Sequence, residues 1–183
     1  MPVRLLTLLV LLLVALPPAA AEALCASDAL QREVCLPEPA DRIVSLSPGA
    51  TELLFSAGAG AKLVAASAWS DYPPEASDLP RVGDSNRLDL EAIVAFDPDL
   101  VVAWVDGNSR SQLDKLAALG LPVYWLAPRD FADIARAVVS LGKLTGTPEQ
   151  AAARAEQFRQ GIAKLAQPSR EARPGPGFFR IWT

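Results

Sequence analysis

From Arg42 to Gly146 the chain repeats one unit: a short apolar or β-branched run, then a segment that opens on a capping residue and closes at glycine or proline. Residues 42–46 (RIVSL), 62–67 (KLVAAS), 99–104 (DLVVAW) and 122–126 (PVYWL) are strand-length runs, and the third is apolar throughout its centre, as in a strand covered on both faces. Between them lie helical segments. Ser47 caps a helix with Pro48 at its first position, Asp89 caps one from Leu90 to about Phe96, Ser109 or Ser111 starts one ending at Leu119, and Asp130 caps one from Phe131 to Leu144. Gly58, Gly120 and Gly146 stand where helices end. Strands alternating with helices over short connections predict an α/β fold, a Rossmann-like parallel-sheet lobe with helices on both faces. Right-handed crossovers place every strand C-terminus along one edge, where ligands of open α/β sheets settle. Three loops converge there: residues 47–50, 69–74 and 104–108. The stretch 69–86, rich in Pro, Asp and Ser, reads as loop without an element of its own.

Beyond the lobe, Thr147-Pro148-Glu149-Gln150 reads as a capping box opening a long Ala-rich helix over residues 149–166. Standing after a complete lobe, it reads as a rigid spacer. Breaker-rich residues 167–177 follow, and residues 178–183 (FFRIWT) read as the first strand of a second lobe that the chain does not complete. The expected organisation is a signal peptide at 1–23, a leader at 24–41, the lobe at 42–146, the helix at 147–167 and a truncated C-terminal lobe from 168.

The signal peptide rests on Arg4, an apolar run over residues 5–16, Pro17-Pro18 and small-x-small sites around Ala19 to Ala23. A run of about 12 residues falls short of the roughly 20 needed to span a bilayer. The chain's net charge of −4 and lack of a basic cluster argue against nucleic acid as a partner. Cys25 and Cys35 are the two cysteines; in an oxidising compartment they could close a small loop, or remain independent thiols in a mobile leader. The sequence contains no histidine and no Gly-x-Ser-x-Gly motif, so nothing is present to activate a thiol or a serine in the usual ways, and an enzyme is not expected. Asp84, Asp89 and Asp106 read as turn and cap residues, Trp69 and Trp125 as core or rim packing.

Four blocks in order, RIVSLSPGATELLFSAGAG (42–60), SDYPPEA (70–76), LDLEAIVAFDPDLVVAW (88–104) and the helix of 149–166, resemble the cobalamin-binding periplasmic proteins of ABC importers. These sit in the wider group that binds cobalamin, haem and ferric siderophores, with two lobes joined by one long helix. The resemblance covers residues 42–183. It implies an exported, periplasmic binding protein with no cofactor of its own, capturing cobalamin or a related corrinoid for an inner-membrane permease and ATPase complex. It also implies ligand contact by Tyr72 of the DYPP loop, by Trp104 and by the Ser47-Pro48 turn, and docking on the permease by Glu91. The chain departs from that pattern between Pro80 and Leu88: such binders often carry a second cleft tryptophan, and this chain reads RVGDSNR, with Ser85 near the position. Haem or a ferric siderophore is the alternative metal chelate. Tyr72 would then have to face iron, or Arg87 and Arg110 the siderophore. A lobe without ligand is the third reading.

Overall fold

The computed structural model describes residues 23–171. The expected signal peptide, apart from Ala23, and the expected strand at 178–183 lie outside the described residues.

The sheet is parallel and four-stranded. β3 (Ile43–Ser45) is followed by α1 (Pro48–Ser56), β4 (Leu63–Ala66), α2 (Leu90–Ala95), β5 (Leu100–Trp104), α3 (Arg110–Ala118), β6 (Val123–Leu126), α4 (Phe131–Leu144) and α5 (Pro148–Glu171). The strands lie in the order β4-β3-β5-β6, and every adjacent pair is parallel. Alternate side chains on each strand point to opposite faces, and the two buried clusters follow that alternation. Leu100, Val102, Tyr124 and Leu126 pack under α1, α4 and the start of α5. Val101, Ala103, Val123 and Trp125 pack against Ile93 of α2 and Leu113 and Leu116 of α3. Both faces are covered, which is why the strands read as apolar runs rather than as alternation.

Caps fall where the side-chain chemistry puts them. Ser47 Oγ accepts from Ala50 N at 3.1 Å, Asp89 Oδ1 from Ala92 N at 2.9 Å, and Asp130 Oδ1 from Asp133 N at 2.7 Å. Gly58 at φ +87° and Gly120 at φ +88° turn the chain out of α1 and α3 in the left-handed conformation that a Cβ disfavours.

Three expectations change. The leader is an antiparallel hairpin: β1 (Leu24–Ser27) pairs with β2 (Glu33–Leu36), and a disulfide joins the directly opposed Cys25 and Cys35. Its turn closes the open side of β6, since Ala29 N donates to the Trp125 carbonyl at 2.9 Å and Tyr124 Oη to the Ser27 carbonyl at 3.0 Å. Asp28, 3% exposed, is held by the Arg32 guanidinium at 2.7 and 2.9 Å, and Arg32 also reaches the Val123 carbonyl at 3.3 Å.

The loop at 69–86 is not featureless. Pro74 opens a 3₁₀ turn (Pro74–Asp78), the bridge Ala66↔Arg81 ties the return to β4, and the bridge Gly83↔Leu88 closes the turn that follows. Proline at the first position supplies the turn's φ without costing a donor.

The long helix also differs from a spacer. It runs to Glu171, through Pro168, and its first turns belong to the lobe: Ala151 and Ala155 are buried against α4, where Gly142 leaves no room for a Cβ beside Ala151. The Thr147 hydroxyl donates to the Ala57 carbonyl at 2.6 Å, tying the start of the helix to the end of α1. From the middle onward α5 leaves the lobe, and Leu165 is 75% exposed. Among the described residues no helix is long and apolar enough to cross a membrane.

Candidate functional site

The connection from β3 runs to β4 on one side and the connection from β5 runs to β6 on the other, so the order β4-β3-β5-β6 reverses direction between β3 and β5. Chain diverging in opposite directions from two adjacent strands leaves a crevice at their C-terminal ends, the usual seat of a ligand in such sheets. Ser47-Pro48-Gly49 leaves β3 at this point and Trp104 ends β5. The two meet: a Cβ on Gly49 would lie 2.9 Å from Cζ3 of the Trp104 ring. Beside them opens a cavity of about 580 Å³, walled by Gly49, Leu53, Trp104, Pro128, Ile134 and Phe158, with Glu52, Arg154 and Gln157 also lining it. Its floor is largely aliphatic and aromatic, and part of its wall is the long helix.

The loops around the crevice are held from below. Ser45 Oγ lies 2.5 Å from Thr51 Oγ1, Thr51 Oγ1 lies 3.1 Å from Ser70 Oγ, and Ser70 Oγ lies 3.2 Å from Ser67 Oγ. All four residues are buried. This chain of hydroxyls ties the turn after β3 to the start of the loop after β4. Arg81 holds the same loop from its other side: its guanidinium donates to the carbonyls of Ser67 and Ser70, each at 3.2 Å, and of Ser77 at 3.3 Å. On the third loop, the Asn108 side chain links the ends of β3 and β5, donating to the Leu46 carbonyl at 2.9 Å and accepting from Trp104 N at 2.8 Å.

Of the residues expected at the site, Trp104 and the Ser47-Pro48 turn come together at the crevice. Ser47 is half-buried and its hydroxyl is committed to capping α1, while Pro48 is exposed. Tyr72 projects from the second loop, 67% exposed, ahead of a cis peptide to Pro73. Glu91 stands exposed in the first turn of α2, bordering a groove with Arg81, Arg87 and Asp89. That turn follows the connection from β4, on the rim of the same sheet edge. Arg110 does not face the crevice. Its guanidinium lies over the Trp125 ring, 5.6 Å from the centroid, and it pairs with Asp114 at 3.8 Å. Asp84 is a turn residue: its Oδ1 accepts from Arg87 N and Asn86 N, and these bonds hold its carboxyl below the usual aspartate range.

Trp125 is buried as expected, but Trp69 is not: its side chain is 79% exposed and its backbone sits at φ +66°. A large side chain in the left-handed region is costly, roughly 1–3 kcal/mol, and such strain gathers at binding sites. The signal was available in the sequence. Trp69 opens the same polar loop as Tyr72, and an aromatic in such a loop has little core to join.

A model of the periplasmic binding protein family matches residues 43–176. The vitamin B12-binding protein of Yersinia pestis (strain Pestoides F) is 42% identical over 146 residues, covering 80% of this chain and 52% of its own. Among solved structures, the periplasmic vitamin B12-binding protein of Vibrio cholerae superposes with a TM-score of 0.68 at 40% identity, over 71% of this chain and 51% of that one. A periplasmic haem-binding protein of Pseudomonas aeruginosa also has a TM-score of 0.68, at 26% identity, over 75% of this chain and 50% of that one. The chain thus spans about half the length of the relatives it matches.

Proposed function

The chain belongs to the periplasmic binding protein family, and from that premise we propose that it forms one wall of the ligand cleft in a cobalamin-binding subunit of an ABC importer, exported by a cleaved signal peptide. The observation that carries the reading is the crevice between β3 and β5, floored by Trp104 and rimmed by exposed Trp69 and Tyr72, in a chain 42% identical to a vitamin B12-binding protein. A corrin ring offers a broad apolar face fringed with amides. A largely apolar cavity beside aromatic side chains on rigidly held loops suits that chemistry.

In this reading Trp104 and the Pro48 turn support the ring, Tyr72 and Trp69 close over its edge, and apolar burial supplies most of the affinity. Glu91, outside the cavity and free of any cap duty, which Asp89 performs, meets a cationic pocket on the permease. The opposite wall comes from the part of the relatives' length that the match does not reach. The relatives that the chain resembles are binding proteins, which supports capture and delivery.

Haem is the second reading, favoured by the shared fold of the Pseudomonas protein. With no histidine in the chain, Tyr72 would have to ligate iron from this wall.

Equilibrium dialysis of the mature protein against cyanocobalamin, with haemin and a ferric siderophore as competitors, separates these readings. Retention of cyanocobalamin that resists both competitors is expected. Displacement by haemin, or retention of haemin alone, moves the ligand to an iron chelate.

A further inference from the structure

Leu46 N donates to the Val102 carbonyl at 2.9 Å, continuing the β3–β5 ladder past its last paired residue. In a parallel ladder the next rung would run from Trp104 N to the Leu46 carbonyl. It is replaced. Trp104 N donates to Asn108 Oδ1 and Asn108 Nδ2 donates to the Leu46 carbonyl. One carboxamide, chemically a peptide unit, is thus inserted between the two strands at the place where the sheet reverses direction. Asn108 is 8% exposed, and its own N–H donates to the Trp104 carbonyl at 3.0 Å, so both ends of the Trp104 peptide backbone are held by this one residue.

We propose that Asn108 is a positioning residue for the ligand cleft: its side chain wedges β3 and β5 apart at their C-terminal ends and fixes the Trp104 indole against Gly49 as the cleft floor. The proposal rests on the cobalamin reading for the ligand but not for the wedge. The physical case is one of matched valence. Asparagine is the residue that offers one acceptor and one donor at the spacing of a peptide group, from a side chain short enough to stay rigid. Alanine would leave the Trp104 N–H and the Leu46 carbonyl either unpaired or free to bond each other, closing the crevice. Aspartate would keep the acceptor for Trp104 N and set a carboxylate against the Leu46 carbonyl until it takes up a proton, which restores the donor.

The test uses protein labelled with 5-fluorotryptophan, with the Trp104 fluorine signal assigned through Trp104→Phe. In Asn108→Ala the Trp104 signal should move while that of Trp125 stays, and cyanocobalamin should bind at least tenfold more weakly. In Asn108→Asp the Trp104 signal should be displaced at neutral pH and return towards the parent position as the pH is lowered, a recovery that a merely destabilised fold would not give. A Trp104 signal unmoved in both variants overturns the wedge. A displaced signal with unchanged cyanocobalamin affinity overturns the role of Asn108 in positioning the cleft. If the parent protein binds no cyanocobalamin, the ligand reading fails by itself, and the pH-dependent return of the Trp104 signal still decides for or against the wedge.

Discussion

At Thr51 one buried hydroxyl joins Ser45, Ser70 and the Ser47 carbonyl, so a single oxygen couples two of the three loops at the sheet edge. Thr51→Val keeps the shape and strands the neighbouring hydroxyls. It should lower unfolding free energy by about 1–3 kcal/mol in a denaturant titration, and should loosen the Trp69–Tyr72 loop more than the opposite end of the sheet. The rim residues divide by role. Trp69→Ala and Tyr72→Ala should each weaken cyanocobalamin binding in dialysis with little change in melting temperature, because both side chains are exposed. Glu91→Ala should leave that affinity unchanged and reduce transport by reconstituted importer; normal transport with lost affinity would reverse the assignment. Asp84 gives a pH signature. Its folded-state carboxyl lies below the ordinary value, so its contribution is complete above that value and is lost as pH falls through the lowered one. Asp84→Asn should therefore flatten part of the stability slope on the acid side of the ordinary aspartate value. Tyr72 was legible in the sequence because an aromatic in a Pro- and Asp-rich loop has little core to join. Trp69 has the same context, so the same argument reaches it; only its positive φ is invisible in the sequence. Asn108 was hidden differently: a loop asparagine looks like any turn residue until the two strands it separates are known to be neighbours.

The elements themselves were written plainly, because their signals are local. Ser47, Asp89 and Asp130 cap the helices expected of them, and Gly58 and Gly120 turn the chain out of theirs. What escaped was structure whose stability comes from distant partners. Residues 24–36 carry only brief alternation, too short to announce a hairpin, and the hairpin is held by β6 and α4 as much as by itself. Likewise α5 reads as a spacer because the burial stripe of its first turns is made of alanines, which pack against a glycine in α4. Gly142→Leu should consequently separate α4 from α5 and cost several kcal/mol, measurable as a large fall in denaturation midpoint. Replacing Cys25 and Cys35 together with serine should cost about 2 kcal/mol, the scale of closing a short loop. Hydrogen exchange in that variant should accelerate first at β1 and β2 while β3 and β5 remain protected.

On the scale of the molecule, two helical layers on a four-stranded parallel sheet leave one end of the sheet for loops, and those loops are braced by buried hydroxyls, Arg81 and Asn108. In the proposed two-lobed protein, a long helix that is part core and part projection, about 36 Å at 1.5 Å per residue, would permit rocking between lobes more readily than wide hinge opening. Small-angle scattering of the mature protein with and without cyanocobalamin should accordingly show little change in radius of gyration. The hairpin that seals β6 also has a bearing on the order in which the native state is reached. Tyr124 lies 97 positions beyond its partner Ser27, and Val123 lies 91 beyond Arg32. Chains are made from the N-terminus, so the hairpin emerges early and can close its own disulfide locally, yet its docking surface on β6 and α4 is completed only after four further strands and four helices have been made. The hairpin made first is thus placed late, with its two strands already joined to each other by the disulfide.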